Sequence, residues 1–289
     1  MDASAPVLVG IDGSTASVRA ALWAADEAAA RDTVLELVYV VDPARVDDID
    51  EAVAKAHKAI RRATTAITDA DNHVKLESEI LHGNPILELA HAARGAALLC
   101  VGYKGSKDSA PLARGATASN LARIAPTSVA VVRRRRMRSP PRLHRWIVAV
   151  VDETPESHTV LQAALDEADH RGAPVLALTT WSDGHPHPRA MPDSDEAGHV
   201  RASMDGYLDD PHHLSADVRI CTLPLPGDVT ALLERTAGIE QLFVISARRH
   251  DLVDQLTGDS ARRALRGTNC SILVVRASDT VGADGVTPA

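Results

Sequence analysis

The chain repeats itself, and the repeat limits what it can become. Val9-Gly10-Ile11-Asp12 overlies Ala149-Val150-Val151-Asp152, and Ala24-Ala25-Asp26-Glu27-Ala28 overlies Ala164-Leu165-Asp166-Glu167-Ala168. The ends match as well, with Pro126-Thr127-Ser128-Val129-Ala130-Val131-Val132-Arg133 over Asn269-Cys270-Ser271-Ile272-Leu273-Val274-Val275-Arg276. A unit that returns after roughly 140 residues is a domain, not a solenoid turn. Residues 1–133 and 144–276 are therefore read as two domains. Between them, 134–143 is read as a linker: Arg133 opens a run of like charge that repels itself, and Pro140 and Pro141 block regular structure. Residues 277–289 are polar and expected to fray.

Within the first copy, short β-branched runs alternate with helical patterns. Strands are expected at 7–11, 34–41, 74–81, 96–101 and 128–132, and helices at 17–31, 47–71, 85–93 and 117–125. Strands separated by helices imply right-handed crossovers and a mainly parallel sheet covered on both faces. The expected fold class is α/β, with two tandem five-stranded sheets flanked by helices. The runs 128–132 and 271–275 end the two copies with near-continuous apolar residues, so each offers an edge that invites pairing. An intramolecular pair built on them is expected, with any further homodimer using a separate surface.

Gly102, Gly105 and Gly115 follow the fourth strand at the spacing G-x2-G-x9-G. Glycine lets a backbone approach a ligand closely, and the N–H groups of a following helix start accept an anion. This is the layout of a phosphate-holding loop, though it is neither a Walker loop nor the dinucleotide spacing. In parallel sheets ligands sit beyond the carboxyl ends of the strands, where Asp12 and Gly102 both fall.

Composition removes several classes. A net charge of −8 argues against nucleic-acid binding, and one Phe, three Tyr and three Trp leave few stacking surfaces for single strands. No apolar run reaches the roughly 18 to 20 residues of a membrane span, and Met1 to Pro6 does not read as a signal peptide, so a cytoplasmic location is expected. Cys100, Cys221 and Cys270 are scattered and read as small buried thiols. The histidines at 185, 187, 212 and 213 sit among Gly, Pro, Asp and Ser and are read as surface loop, not as metal ligands. The acidic run 47–51 is read as a helix start that complements the dipole. No nucleophile-base pattern or acid pair marks a catalytic centre, so the chain is not expected to be a dedicated enzyme.

Taken together, Val9-Gly10-Ile11-Asp12-Gly13-Ser14, Gly83-Asn84-Pro85, the Val101-Gly102 glycine spacing and Pro126-Thr127-Ser128-Val129 resemble the universal stress protein family in its tandem, actinobacterial form. The resemblance covers nearly the whole chain. It implies the adenine nucleotide alpha hydrolase-like sandwich, dimeric pairing through the last strand and, in one branch, bound ATP with or without Mg2+. Carried onto this chain, Gly10 and Asp12 lie at the adenosine, Val40 lines the adenine pocket, and Gly102, Gly105 and Gly115 wrap ribose and phosphates, with Ala116 and Thr117 at the helix start. One departure stands out: the family pattern has Ser or Thr after the third glycine, where this chain has Ala116. Loss of that hydroxyl costs roughly 0.5 to 1.5 kcal/mol, up to about tenfold in affinity.

The second copy departs further. Asp152 is present, but Ser246-Ala247-Arg248-Arg249-His250 replaces the first two glycines and Gly258 alone matches the third. It is read as a degenerate, structural copy carrying a solvated loop there. The resulting expectation is a stress-associated regulator that binds ATP in its first domain. The alternatives are a nucleotide-free interaction module and a slow ATPase.

Overall fold

The computed structural model describes residues 5–103, 116–133, 146–152, 154–179, 220–224, 240–258 and 269–277. The linker, Gly105, Gly115, the histidines at 185, 187, 212 and 213, and the chain beyond 277 lie outside the described residues.

Among the described residues each half contributes five strands. The first supplies β1 (Val7–Ile11), β2 (Leu35–Val41), β3 (Leu76–His82), β4 (Leu98–Gly102) and β5 (Val129–Val132). The second supplies β6 (Trp146–Val151), β7 (Val175–Thr179), β8 (Ile220–Pro224), β9 (Glu240–Ser246) and β10 (Asn269–Val275). They are joined in a single ten-stranded sheet of order β3-β2-β1-β4-β5-β10-β9-β6-β7-β8. Neighbours run parallel everywhere except at β5 and β10, which are antiparallel. The inner strands are apolar on both faces, as buried parallel strands must be. Leu8, Leu99, Val131 and Phe243 are each almost wholly inaccessible. The outer strand β3 is different: Glu77, Ser78 and Glu79 stay exposed, which blunts a free edge against further pairing.

Helices α1 (Thr15–Ala30), α2 (Ile49–Asp69) and α5 (Glu156–Arg171) pack on one face. Helices α3 (Pro85–Ala92), α4 (Ala116–Ile124) and α6 (His250–Thr257) pack on the other. Their starts follow from local chemistry. Ser14 accepts from the Ser17 N–H, Asp48 from Glu51 and Asn84 from Ile86, each cap being worth about 1 kcal/mol. In α1 the stripe Ala20, Ala21, Ala24, Ala25 and Ala28 is fully buried, so small side chains bring this helix close to the sheet.

The two halves meet about a local two-fold. Ala130 lies opposite Leu273, with Val129 against Val274 and Val131 against Ile272. Beyond the ladder the Arg133 N–H donates to Ser271 Oγ at 3.2 Å, and the Arg276 N–H donates to Ser128 Oγ at 3.1 Å. On the α1 face a buried ionic quartet spans the same axis. Arg31 Nη2 lies 2.9 Å from Glu27 and 3.1 Å from Glu167, and Arg171 pairs with both carboxylates and lies over the Trp23 ring. Burial pushes Glu167 up to about 8, with the Glu27 charge adding to it. Burial acts on Glu27 in the same sense, but the Arg171 and Arg31 guanidiniums outweigh it and hold Glu27 below its ordinary value.

Among the described residues no helix is long and apolar enough to cross a membrane. Cys100 and Cys270 are buried free thiols, and burial raises both, Cys270 to about 12.

Candidate functional site

β1 and β4 are neighbours, yet the chain leaves β1 toward β2 and leaves β4 toward β5. The crevice beyond their carboxyl ends is thus a topological switch point, the place where open α/β sheets bind ligands. Asp12 follows β1 directly there. The register Val9 opposite Cys100 places Gly102, two residues on, level with Ile11. Val40 lies one residue past Tyr39, the partner of Ile11, and is half-buried at the end of β2.

Local turn chemistry aims Asp12. Gly13 takes φ +78°, which an L side chain rarely adopts, and the Ser14 N–H donates to Asp12 Oδ1 at 2.9 Å. The carboxylate therefore sits half-buried at the rim, held by its own turn, with Ser14 capping α1 just behind it. Arg62 of α2 donates to the Gly13 carbonyl at 3.0 Å and ties the turn to that helix.

Two of the glycines have packing reasons of their own. A Cβ on Gly102 would lie 2.7 Å from the Ala16 carbonyl carbon, so Gly102 lets β4 end against the first turn of α1. A Cβ on Gly10 would meet Leu89 Cδ1 at 3.2 Å, so Gly10 makes room for α3. Gly105 and Gly115 fall outside the described residues. Helix α4 opens at Ala116, and Thr117 is exposed in its first turn.

The second half repeats the aspartate turn and then closes it. Asp152 accepts from the Thr154 N–H at 3.0 Å, as Asp12 does from Ser14, and also from the Thr154 and Ser157 hydroxyls. Arg249 Nη1 then reaches Asp152 Oδ2 at 2.8 Å while its other nitrogens hold Asp251. Burial pushes Asp152 upward, but the bonds from Thr154, Arg249 and Ser157 outweigh it and hold the carboxyl below its usual range. The amides of Tyr103 and Ala247 donate to the Val132 and Val275 carbonyls respectively, so these two residues are equivalent, and two positions further on Arg249 stands where Gly105 stands in the first half.

This corrects the reading of a solvated loop over Ser246 to His250 at Arg249, while Arg248 and His250 are exposed. Residues 250–257 form α6, with Leu252, Val253 and Leu256 buried, and Arg249 is half-buried in an ion pair. The signal was present, since Leu252, Val253 and Leu256 have helical spacing. Arg133, read as the start of a solvated charge run, is likewise half-buried, with its guanidinium carbon 3.3 Å from the Tyr103 ring centroid. Among the described residues no group of three or more His, Cys, Asp or Glu side chains is arranged to hold a metal.

The family model for the universal stress protein family matches residues 4–133 and again 144–276. Universal stress protein Rv2028c of Mycobacterium tuberculosis is 36% identical over 277 residues, covering 93% of this chain and 95% of that protein. The chain belongs to the universal stress protein family. Universal stress protein Rv2624c of the same species is 35% identical over 273 residues, covering 93% of this chain and 96% of that protein. The crystal structure of a universal stress protein from Archaeoglobus fulgidus aligns with TM-score 0.67 at 14% identity, over 96% of this chain and 98% of that one, and shares the fold. Both universal stress protein matches begin before the aspartate turn and end at the arginines Arg133 and Arg276, so the asymmetry at Arg249 lies inside a matched unit.

Proposed function

We propose that residues 1–133 form a domain that binds ATP, with or without Mg2+, that residues 144–276 form a structural domain, and that the chain acts as a stress-associated regulator by binding and not by catalysis. The observation that carries this reading is the place of Asp12 at the switch point of the half that keeps glycine at position 105. In the second half Arg249 takes that position in the sequence and engages Asp152.

The groups present fit an adenine nucleotide. The Asp12 carboxylate is an acceptor for ribose hydroxyls or an adenine amino group, Val40 supplies an apolar wall, and the first N–H groups of α4 with the Thr117 hydroxyl suit a phosphate. Nucleotide occupancy would then bias contacts of the chain with itself or with a partner protein. Calorimetry with ATP tests the reading. Asp12→Asn should weaken binding by about 1.5 to 3 kcal/mol, the range for a hydrogen bond to a charged group, and Asp152→Asn, a distant site, should leave affinity within about twofold. Equal losses from the two substitutions, or no ATP binding by the parent, would overturn it.

One observation favours a second reading, a nucleotide-free interaction module. Gly102 is required by packing against the Ala16 backbone and Gly10 is closely packed by Leu89, so Gly102 needs no ligand to explain it. Analysis of small molecules released on denaturing the purified protein separates the two readings: adenine nucleotide near one per chain supports binding, and none supports the interaction module.

A further inference from the structure

Arg133 ends the first half, and its cation is held entirely by unusual partners. Its guanidinium stacks on Tyr103 at 3.3 Å and its Nη2 donates to the Leu256 carbonyl at 2.6 Å, while its Nε is buried without a hydrogen-bond partner. Among the described residues no carboxylate pairs with it. Leu256 lies in the last turn of α6, so the cation meets the negative end of a helix dipole and the negative face of an aromatic ring. Burial holds Arg133 down at about 10, which fits a charge removed from water and compensated only by dipoles.

Tyr103 directly follows Gly102 and is itself buried, its amide tied to the Val132 carbonyl. The second half therefore grips the first at the residue from which the glycine-rich stretch departs. A second arginine that crosses the seam supplies a control within the same molecule. Arg276 ends the second half as Arg133 ends the first, and its Nη2 donates to the Arg123 carbonyl at 3.0 Å near the end of α4. Among the described residues no ring lies beneath it, and the position equivalent to Tyr103 is Ala247. Both halves thus make a cross-axis bond to a helix end.

We propose that Arg133 is a positioning residue for the nucleotide site, and that the second half contributes to binding by holding Arg133 on Tyr103 through the C-terminal end of α6. The inference rests on the ATP reading above. In that arrangement the second half needs no ligand of its own. Its helix α6, anchored at one end where Arg249 meets Asp251 and Asp152, presents its other end as an acceptor for the first half.

The test is ATP calorimetry on the full chain, with thermal unfolding measured in parallel. Arg133→Met keeps the stem and removes the charge, and Arg133→Lys keeps a cation over the ring. Arg276→Met removes the other arginine–carbonyl bond across the seam, with no ring involved. Arg133→Met should weaken ATP binding about tenfold or more, Arg133→Lys should restore it to within about threefold, and Arg276→Met should leave it within about twofold at a similar loss of melting temperature. If Arg133→Met fails to fold, the comparison of Arg133→Lys with Tyr103→Leu decides, the second expected to bind about tenfold more weakly than the first. A parent that binds ATP while Arg133→Met binds equally well, or while Arg276→Met is weakened as much, overturns this inference alone. A parent that binds no ATP overturns the nucleotide reading and this inference together.

Discussion

Arg249 Nη1 lies 2.8 Å from Asp152 Oδ2, so in the second half the cation that meets the first-strand aspartate comes from the protein itself. The bond explains how a chain can repeat a site residue without repeating a site. A guanidinium tethered by α6 competes with any diffusing ligand at the effective concentration of an intramolecular group.

The pair has a pH signature. Burial raises Asp152, but the hydrogen bonds prevail and its folded value is depressed. A depressed carboxyl adds stability above its unfolded value, near 3.9, and loses it as pH falls through the folded value. With Asp152 at 12% and Arg249 at 24% side-chain exposure, Arg249→Ala should cost about 1 to 3 kcal/mol at pH 7. Urea unfolding should show that gap shrinking below about pH 4. A gap unchanged down to pH 2 would mean that Arg249 stabilises by packing alone.

Gly102→Ala should destabilise the ligand-free protein by about 1 to 3 kcal/mol, because the new methyl would overlap the backbone of Ala16 and force α1 outward. The second half carries Ser246 at the position equivalent to Gly102. Ser246→Ala should cost no more than the bond its hydroxyl accepts from the Arg248 N–H, about 0.5 to 1.5 kcal/mol. Differential scanning calorimetry of the two variants without nucleotide checks the contrast.

The fold was legible because its strands are buried on both faces. A parallel strand covered by helices must be apolar throughout, as Val7-Leu8-Val9 and Leu98-Leu99-Cys100-Val101 are, and such runs stand out against the alanine-rich helices between them. Asp12 was legible from its place one residue past such a run. What stayed hidden were polar residues whose partners lie far off in sequence. Glu27 and Glu167 look like ordinary helix-surface acids, and only the meeting of the C-terminal parts of α1 and α5 buries them against Arg31 and Arg171. The same Glu and Arg four residues apart in both copies was the available signal. Arg133 was masked by its neighbours, since one stacked arginine at the head of a basic run has no local mark. Gly102 is ambiguous in the sequence, because a glycine that spares a helix backbone reads the same as one that spares a ligand.

The quartet should make stability fall as pH rises. Glu167 has a folded value of about 8, above its ordinary 4.5, so the folded chain holds a proton that the unfolded chain releases across that window. Such a group contributes stability fully below about 4.5, and the contribution is lost as pH rises toward 8. Glu27, held below its ordinary value, acts only at lower pH. Glu167→Gln keeps a donor toward Glu27 and an acceptor toward Arg31 at every pH. Urea midpoints at pH 5.5 and 8.5 should therefore drop for the parent and stay level for Glu167→Gln. A parallel drop in both would assign the slope to other groups.

The last prediction concerns the seam between the halves. The Arg133 N–H points to β10, where it meets Ser271, while the Val132 carbonyl points to β4, where it accepts from Tyr103. Alternation along β5 then turns the Val131 N–H toward β10 as well, opposite Ile272. Val131→Pro deletes that donor within the only antiparallel ladder among the described strands, and its ring crowds the facing strand. The half-sheets keep their own parallel ladders, so β1, β2, β6 and β7 should persist while the seam loosens. Hydrogen exchange reads this directly: amides at 272–275 that face β5 should exchange at least tenfold faster in the variant, and those of Val9 and Ala149 should not change. Protection at 272–275 equal to the parent would show that β10 is held by β9 alone, and that the pairing of β5 with β10 does not join the two halves.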